Sequence, residues 1–263
     1  MDIALIALLT FVGSFIGTLT GFGTSTVMVP VLVMFYPLPQ ALLLVGIIHW
    51  FGDIWKMLLF RSGVRWRLVR LFGVPGIIAT VAGGLLVFQA PQELLSRVLG
   101  AFLLAYVAFI LVNRRFKVPQ TTATALTGGA LYGLFAGVFG VGGAVRGAFL
   151  AAYGLPKDVY IFTAGAIGLA VDTGRLATYW SQRAQLEPRL LWGLLLFVPV
   201  SFAGAKVAER IVQRIPQERF RGVVAAFLAL VALKLLVLPS GAEPEQGSRE
   251  SASRAAQPQL ASP

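Results

Sequence analysis

Apolar residues run almost without interruption from Ile3 to Gly52, a stretch of 50 positions that holds no Asp, Glu, Lys or Arg. That length would serve two membrane passes of about 20 residues each. Its middle is nevertheless a poor helix. Gly17 to Pro30 reads GTLTGFGTSTVMVP, with Gly17, Gly21 and Gly23, the hydroxyl residues Thr18, Thr20, Thr24, Ser25 and Thr26, and a closing proline. Glycine and proline weaken a helix interior, and clustered Ser and Thr offer hydrogen bonds that compete with it. In hydrocarbon, broken backbone persists only where it is buried in protein or lines a cavity. A second Gly-rich stretch, Gly128 to Gly147, recurs in mid-chain, so the two breaks are expected to form two halves of one binding site.

The apolar pattern divides into eight segments, at about 3–35, 40–60, 68–88, 94–112, 122–152, 157–180, 189–209 and 218–238. The first and fifth are long, with breaks predicted at 17–26 and 137–147. The order of one long broken segment and three ordinary ones thus occurs twice. Residue identities follow it. Pro91-Gln92-Glu93 and Ala101-Phe102-Leu103 return as Pro216-Gln217-Glu218 and Ala226-Phe227-Leu228, and Pro37-Leu38-Pro39-Gln40 parallels Gly154-Leu155-Pro156-Lys157. Aligning Gly17 and Gly21 with Gly133 and Gly137 sets Pro30 against Arg146. The expected fold is an all-α polytopic membrane protein with one transport domain at 1–238, built from homologous halves at about 3–112 and 122–238. The tail, 239–263, is rich in Ser, Ala, Pro, Gln and Glu without apolar period, and reads as disordered.

Two topologies fit. If all eight segments span, the halves run parallel, and the five basic residues between Lys206 and Arg221 fall on the outer side. If segments 1 and 5 are re-entrant, each half crosses three times and the halves are inverted. The basic loops around Arg61–Arg70, Arg114–Lys117 and Lys206–Arg221 then share the cytoplasmic face, and only Arg183 and Arg189 are misplaced. The positive-inside bias favours the inverted form, a common arrangement for carriers with broken helices.

Composition agrees. Hydrophobic residues make up 57% of the 263 and charged residues 13%, against about 25% charged in soluble domains; mean hydropathy is +0.80. The N-terminus, Met1-Asp2-Ile3, lacks a basic n-region and a cleavage site and is read as the first membrane segment. The chain has no cysteine, which excludes disulfides, thiol catalysis and Cys-ligated metals. The net charge of +11 sits in short loops between apolar segments. That placement points to lipid head groups or an anionic solute as partners, not nucleic acid.

Charged residues inside the apolar segments are the candidate chemistry. Arg146 stands between uncharged runs at 118–145 and 147–156, and an intramembrane arginine is a functional candidate by default. Backbone N–H groups freed at the breaks, with the positive ends of helices, bind anions without a formal charge. The candidate substrate-binding set is therefore Gly21, Gly23, Thr24, Ser25 and Thr26 in the first break, and Gly140, Gly142, Gly143 and Arg146 in the second. Asp53 and Lys56 recur as Asp172 and Arg175 at a constant spacing of 119 positions (53 to 172, 56 to 175). Residues three apart share a helix face, so each pair neutralises itself, either as a static salt bridge or as a charge relay. His49 lies one turn before Asp53 and is a structural imidazole or a further relay member. One histidine and no cysteine leave no HExxH zinc site, and neither a GxSxG elbow nor a GxxxxGK[ST] loop is present. No enzyme activity, cofactor or metal is expected.

Eight segments in roughly 250 residues, a Gly-rich break closed by proline near the start, and GVFGVGGA at 137–144 in mid-chain together resemble the sulfite exporter TauE/SafE family. The resemblance spans about 3–238 and implies a secondary carrier of the bacterial inner membrane for small anions such as sulfite or sulfonates. Thr24-Ser25-Thr26 stands where the family tends to have further glycines, and Arg146 is a second departure. Both add donors or positive charge. The reading is a multi-pass exporter or permease for a sulfur-containing anion, with protons or another ion as coupling partner and a homodimer left open. An anion-selective channel using the same residues is the alternative.

Overall fold

The computed structural model describes residues 1–21, 23–61, 63–112 and 119–211. Within them the chain forms nine helices: α1 (Ile3–Thr20), α2 (Ser25–Leu32), α3 (Leu38–Leu59), α4 (Trp66–Gln89), α5 (Gln92–Val112), α6 (Thr122–Phe139), α7 (Gly143–Ala151), α8 (Lys157–Ser181) and α9 (Pro188–Ile211). The eighth expected segment, 218–238, and the tail lie outside the described residues, as do Arg114, Arg115 and Lys117. Five of the helices, α1, α3, α4, α6 and α9, are long and apolar enough to cross a membrane by length and composition. At about 1.5 Å rise per residue they measure roughly 27–36 Å, against a hydrocarbon core of about 30 Å. Large apolar side chains face outward, among them Trp180, Trp192, Leu195 and Ile78. That is the surface expected of a protein solvated by lipid rather than water.

Both long segments break, more tightly than the predicted ranges. The α1 helix ends at Gly21 with φ 70°, and α6 ends at Gly140 with φ 67°. Each glycine is left-handed, a conformation that costs a side-chain-bearing residue about 1 kcal/mol or more. After each stop a short helix turns back on the one before it. Thr24 Oγ1 lies 3.3 Å from Ser14 Oγ, and a Cβ at Gly13 would touch Met28 and Thr24, so α2 runs back along α1. In the second break, Arg146 on α7 reaches Tyr132 on α6 at 3.3 Å. The ends of each hairpin come together as well. Tyr36 Oη donates to the Met1 carbonyl at 3.3 Å, and Tyr153 Oη to the Thr121 carbonyl at 2.8 Å. Each hairpin therefore starts and finishes at one end of the molecule.

The αL caps of the two breaks share one spacing with the helix starts that follow them. Gly21 matches Gly140 at a spacing of 119, the same that separates Pro37 from Pro156, the N-caps of α3 and α8 with φ −52° and ψ 142° and 146°. In this register Arg146 corresponds to Val27, not to Pro30, and Gly17 and Gly21 do not fall on Gly133 and Gly137. The misalignment arose because glycines at the breaks recur every few residues, so identity alone admits a three-residue slip.

Packing follows small residues. Gly129, Gly133 and Gly137 on α6 meet the backbone of Phe72, Gly76 and Thr80 on α4, so these two helices run parallel in close contact. Gly193 and Gly204 on α9 face Ile3 and Phe11 on α1, again parallel. Close approach through glycine is the usual route to tight helix pairing where lipid leaves no hydrophobic driving force. The central pair, α3 and α8, is different. Positions 46, 49, 53 and 56 of α3 face 175, 172, 168 and 165 of α8, a descending order that makes the two helices antiparallel. Around them, α4 packs on α6 and α8, while α9 packs on α1 and α3. Exchanging α1–α4 with α6–α9 leaves this scheme unchanged.

Candidate functional site

Six ionisable side chains are buried together where α3, α7 and α8 meet. His49, Asp53 and Lys56 come from α3, Arg146 from α7, and Asp172 and Arg175 from α8, none more than 2% exposed. The helical period puts 49, 53 and 56 on one face of α3, and the antiparallel pairing sets that face against 172 and 175. Lys56 Nζ donates to Asp53 Oδ1 at 2.6 Å, and Arg175 Nη2 lies 2.9 Å from Asp172 Oδ1. These are the two expected acid–base pairs. The sequence spacing did not disclose their joining. His49 Nδ1 is 2.6 Å from Asp172 Oδ2 across the helix interface, while its Nε2 stands 3.8 Å from Asp53 Oδ1. Arg146 Nη1 lies 4.0 Å from Asp53 Oδ2.

With Lys56, Arg146 and Arg175 charged and His49 neutral, three cations face two carboxylates among the described residues, an excess of one positive charge. Burial of a charge costs several kcal/mol unless partners compensate. Compensation here is incomplete. Among the described residues, Arg146 Nε, Arg175 Nε, His49 Nε2 and Asp53 Oδ2 are buried without a hydrogen-bond partner. Arg146 is held by other contacts: Nη2 donates to the Gly21 carbonyl at 3.2 Å, Nη1 to Tyr132 Oη, and its guanidinium carbon lies 5.1 Å from the Tyr132 ring centre. Arg175 Nη1 donates to the Ala136 carbonyl at 3.2 Å, and Tyr179 Oη to the Gly137 carbonyl at 2.7 Å. The arginines thus reach the carbonyl ends of α1 and α6, where the helix dipole is negative.

The breaks flank this cluster. Gly21 and Gly23 form the turn between α1 and α2, and the Cβ that Gly23 (φ 89°) lacks would occupy the His49 imidazole. Thr24, Ser25 and Thr26 begin α2 and are buried. Gly140 caps α6 beside Arg175, Gly142 sits against the Tyr132 carbonyl at the start of α7, and Gly143 is its first residue. One expectation is corrected. The amides of Gly23 and Gly140 are not free for a ligand, since they donate to Gly17 O at 3.3 Å and Ala136 O at 3.0 Å. The turn and the last helical turn close their own hydrogen bonds, and the breaks present carbonyls to the arginines as well as helix starts.

Sequence reasoning passed over Tyr132, Tyr179 and Gly168. A Cβ at Gly168 would collide with the Asp53 carboxylate and the Arg146 guanidinium, so this glycine supplies the space in which those two groups meet. Its signal was present: at the 119 spacing Gly168 is the counterpart of His49. His49, Asp53 and Asp172 each offer an oxygen or nitrogen within 4.8 Å of the others. A metal ion there would meet Lys56, Arg146 and Arg175 on the same carboxylates, and the set has the chemistry of an ion-pair network.

Long apolar helices, lipid-suited outer faces and a charged core at the meeting of two hairpins define an integral, multi-pass α-helical membrane protein. A family model described as sulfite exporter TauE/SafE matches residues 5–235, most of the chain, and the protein belongs to that family of membrane transporters. No curated protein and no solved structure matches it.

Proposed function

We propose that the protein is a secondary carrier for a small anion, sulfite or a sulfur-containing organic acid, bound at the junction of the two hairpins. The observation that carries this reading is the buried cluster with three cations against two carboxylates and two guanidinium Nε–H groups without partners. An anion carrying one negative charge would neutralise it and supply acceptors to Arg146 and Arg175. Charge-assisted hydrogen bonds of this kind are shorter and roughly twice as strong as neutral ones.

The surrounding architecture fits alternating access. We read the halves as a duplicated, inverted repeat of four segments each, with the hairpins entering from opposite sides. Support comes from the antiparallel α3–α8 pair, from the matched caps, and from hairpins whose ends return to one another. Related by an axis in the membrane plane, such halves place substrate near the midplane and move by rocking. A bacterial inner membrane is the proposed location.

The test is reconstitution in liposomes with labelled sulfite, sulfate, sulfoacetate and taurine, with and without a pH gradient. A carrier gives saturable flux of at least one anion, driven uphill by a gradient. Flux that rises linearly without saturation would make the same residues a pore. Absence of anion movement under every gradient would end the transport reading of this site.

A further inference from the structure

Resting on the anion-site reading, we infer that His49 takes up a proton together with the anion, so that one imidazole couples transport to protons for both halves. Its position joins the two. Nδ1 is 2.6 Å from Asp172 on α8, and Nε2 is buried without a hydrogen-bond partner among the described residues, 3.8 Å from Asp53 on its own helix. With Nδ1–H donating to the Asp172 carboxylate, neutral His49 leaves the Nε2 lone pair facing no donor. Nε2 also abuts the turn of the α1–α2 hairpin, where the missing Cβ of Gly23 would overlap it. The vacant nitrogen is therefore at the break where the anion is placed.

The charged groups around it are Asp53 and Lys56 from α3, Asp172 and Arg175 from α8 and Arg146 from α7, with the phenols Tyr132 on α6 and Tyr160 on α8 close to Arg146 and Gly21. Helices α1 and α2 bring no ionisable side chain. A proton from the aqueous phase adds to the Nε2 lone pair, with no bond broken in the protein, and raises the cluster from one excess positive charge to two. The proton and the anion then favour each other's binding by the same factor, as linkage demands. The 119 register places Gly168, not a second histidine, at the counterpart position. That space is filled by Asp53 and Arg146, so the site holds one such proton per molecule.

The experiment uses the purified full chain and two probes of constant charge near neutrality, methanesulfonate and sulfate, so that any pH dependence belongs to the protein. Protonated imidazole attracts the anion, hence affinity strengthens as pH falls, by up to about tenfold per pH unit. His49→Gln removes the titratable ring nitrogen and binds at every pH with the weaker affinity of the wild type at high pH. Calorimetry of the wild type in buffers of different ionisation enthalpy counts the protons directly, between zero and one per anion, and stands even if the variant fails to fold. A wild type with pH-independent affinity and no proton uptake overturns the inference, as does His49→Gln with the wild-type pH slope. Either result leaves the anion site intact. Failure of the wild type to bind any probe, sulfite included, removes the anion site and this coupling together.

Discussion

At the scale of single residues, the proposed anion site makes Arg146 the group to test first. It is the one member of the cluster not paired within its own helix, and it links the second hairpin to the first through the Gly21 carbonyl. Replacement by alanine removes the excess charge and all five guanidinium N–H donors. A charge-assisted hydrogen bond contributes about 1.5–3 kcal/mol, so Arg146→Ala is expected to weaken anion binding by about 10- to 150-fold, measured by titration on protein whose unfolding temperature is followed in parallel. Unchanged affinity in a folded variant would take Arg146 out of the site. Asp53 keeps Lys56 as its partner in that variant, which distinguishes loss of the ligand contact from collapse of the whole ion-pair network.

At the scale of elements, the antiparallel contact of α3 with α8 holds the site together. Trp50 Nε1 donates to Thr173 Oγ1 at 2.9 Å, beside the bond from His49 to Asp172. Because the chain has no cysteine, the double variant Trp50→Cys with Thr173→Cys gives a clean crosslinking test. Mild oxidation or a short bifunctional reagent is expected to join the two positions in most molecules, while Trp50→Cys with Leu176→Cys, almost one turn further along α8, joins poorly. Equal yields from the two pairs would refute the register. Much of this level was legible in sequence. The breaks lay where glycine and hydroxyl residues cluster, and the acid–base pairs lay at their helical spacing. The pairing of α3 with α8 was not, because an i,i+3 pair declares its own helix face and says nothing of which helix it meets.

At the scale of the whole molecule, the proposed inverted arrangement would send Gln89 and Arg214 to opposite sides of the membrane. Reporter fusions are expected to place Gln89 outside and Arg214 in the cytoplasm, with the basic loop at Arg61–Arg70 also cytoplasmic, as the positive-inside bias requires. Like locations for Gln89 and Arg214 would instead require parallel halves. In that proposed arrangement Arg183 and Arg189 would lie on the unfavoured side. Arg189 there is paired with Asp2 at 3.5 Å, which softens the violation.

The sequence alone determined the membrane class, the positions of two breaks and the identity of the buried charges, because each rests on local composition: apolar length, helix-breaking residues, and charges that hydrocarbon does not tolerate without a reason. Tertiary structure decided what those features do to one another. It turned each break into a hairpin, shifted the alignment of the halves by three residues through left-handed glycine caps, and set His49 against an aspartate 123 positions away. The physical reason is that a salt bridge within one turn and a salt bridge across two helices use the same side chains. Only the packing of α3 on α8, fixed by glycines at 46, 165 and 168, joins two self-neutralising pairs into one cluster, and only α7 brings Arg146 to it as the unmatched charge.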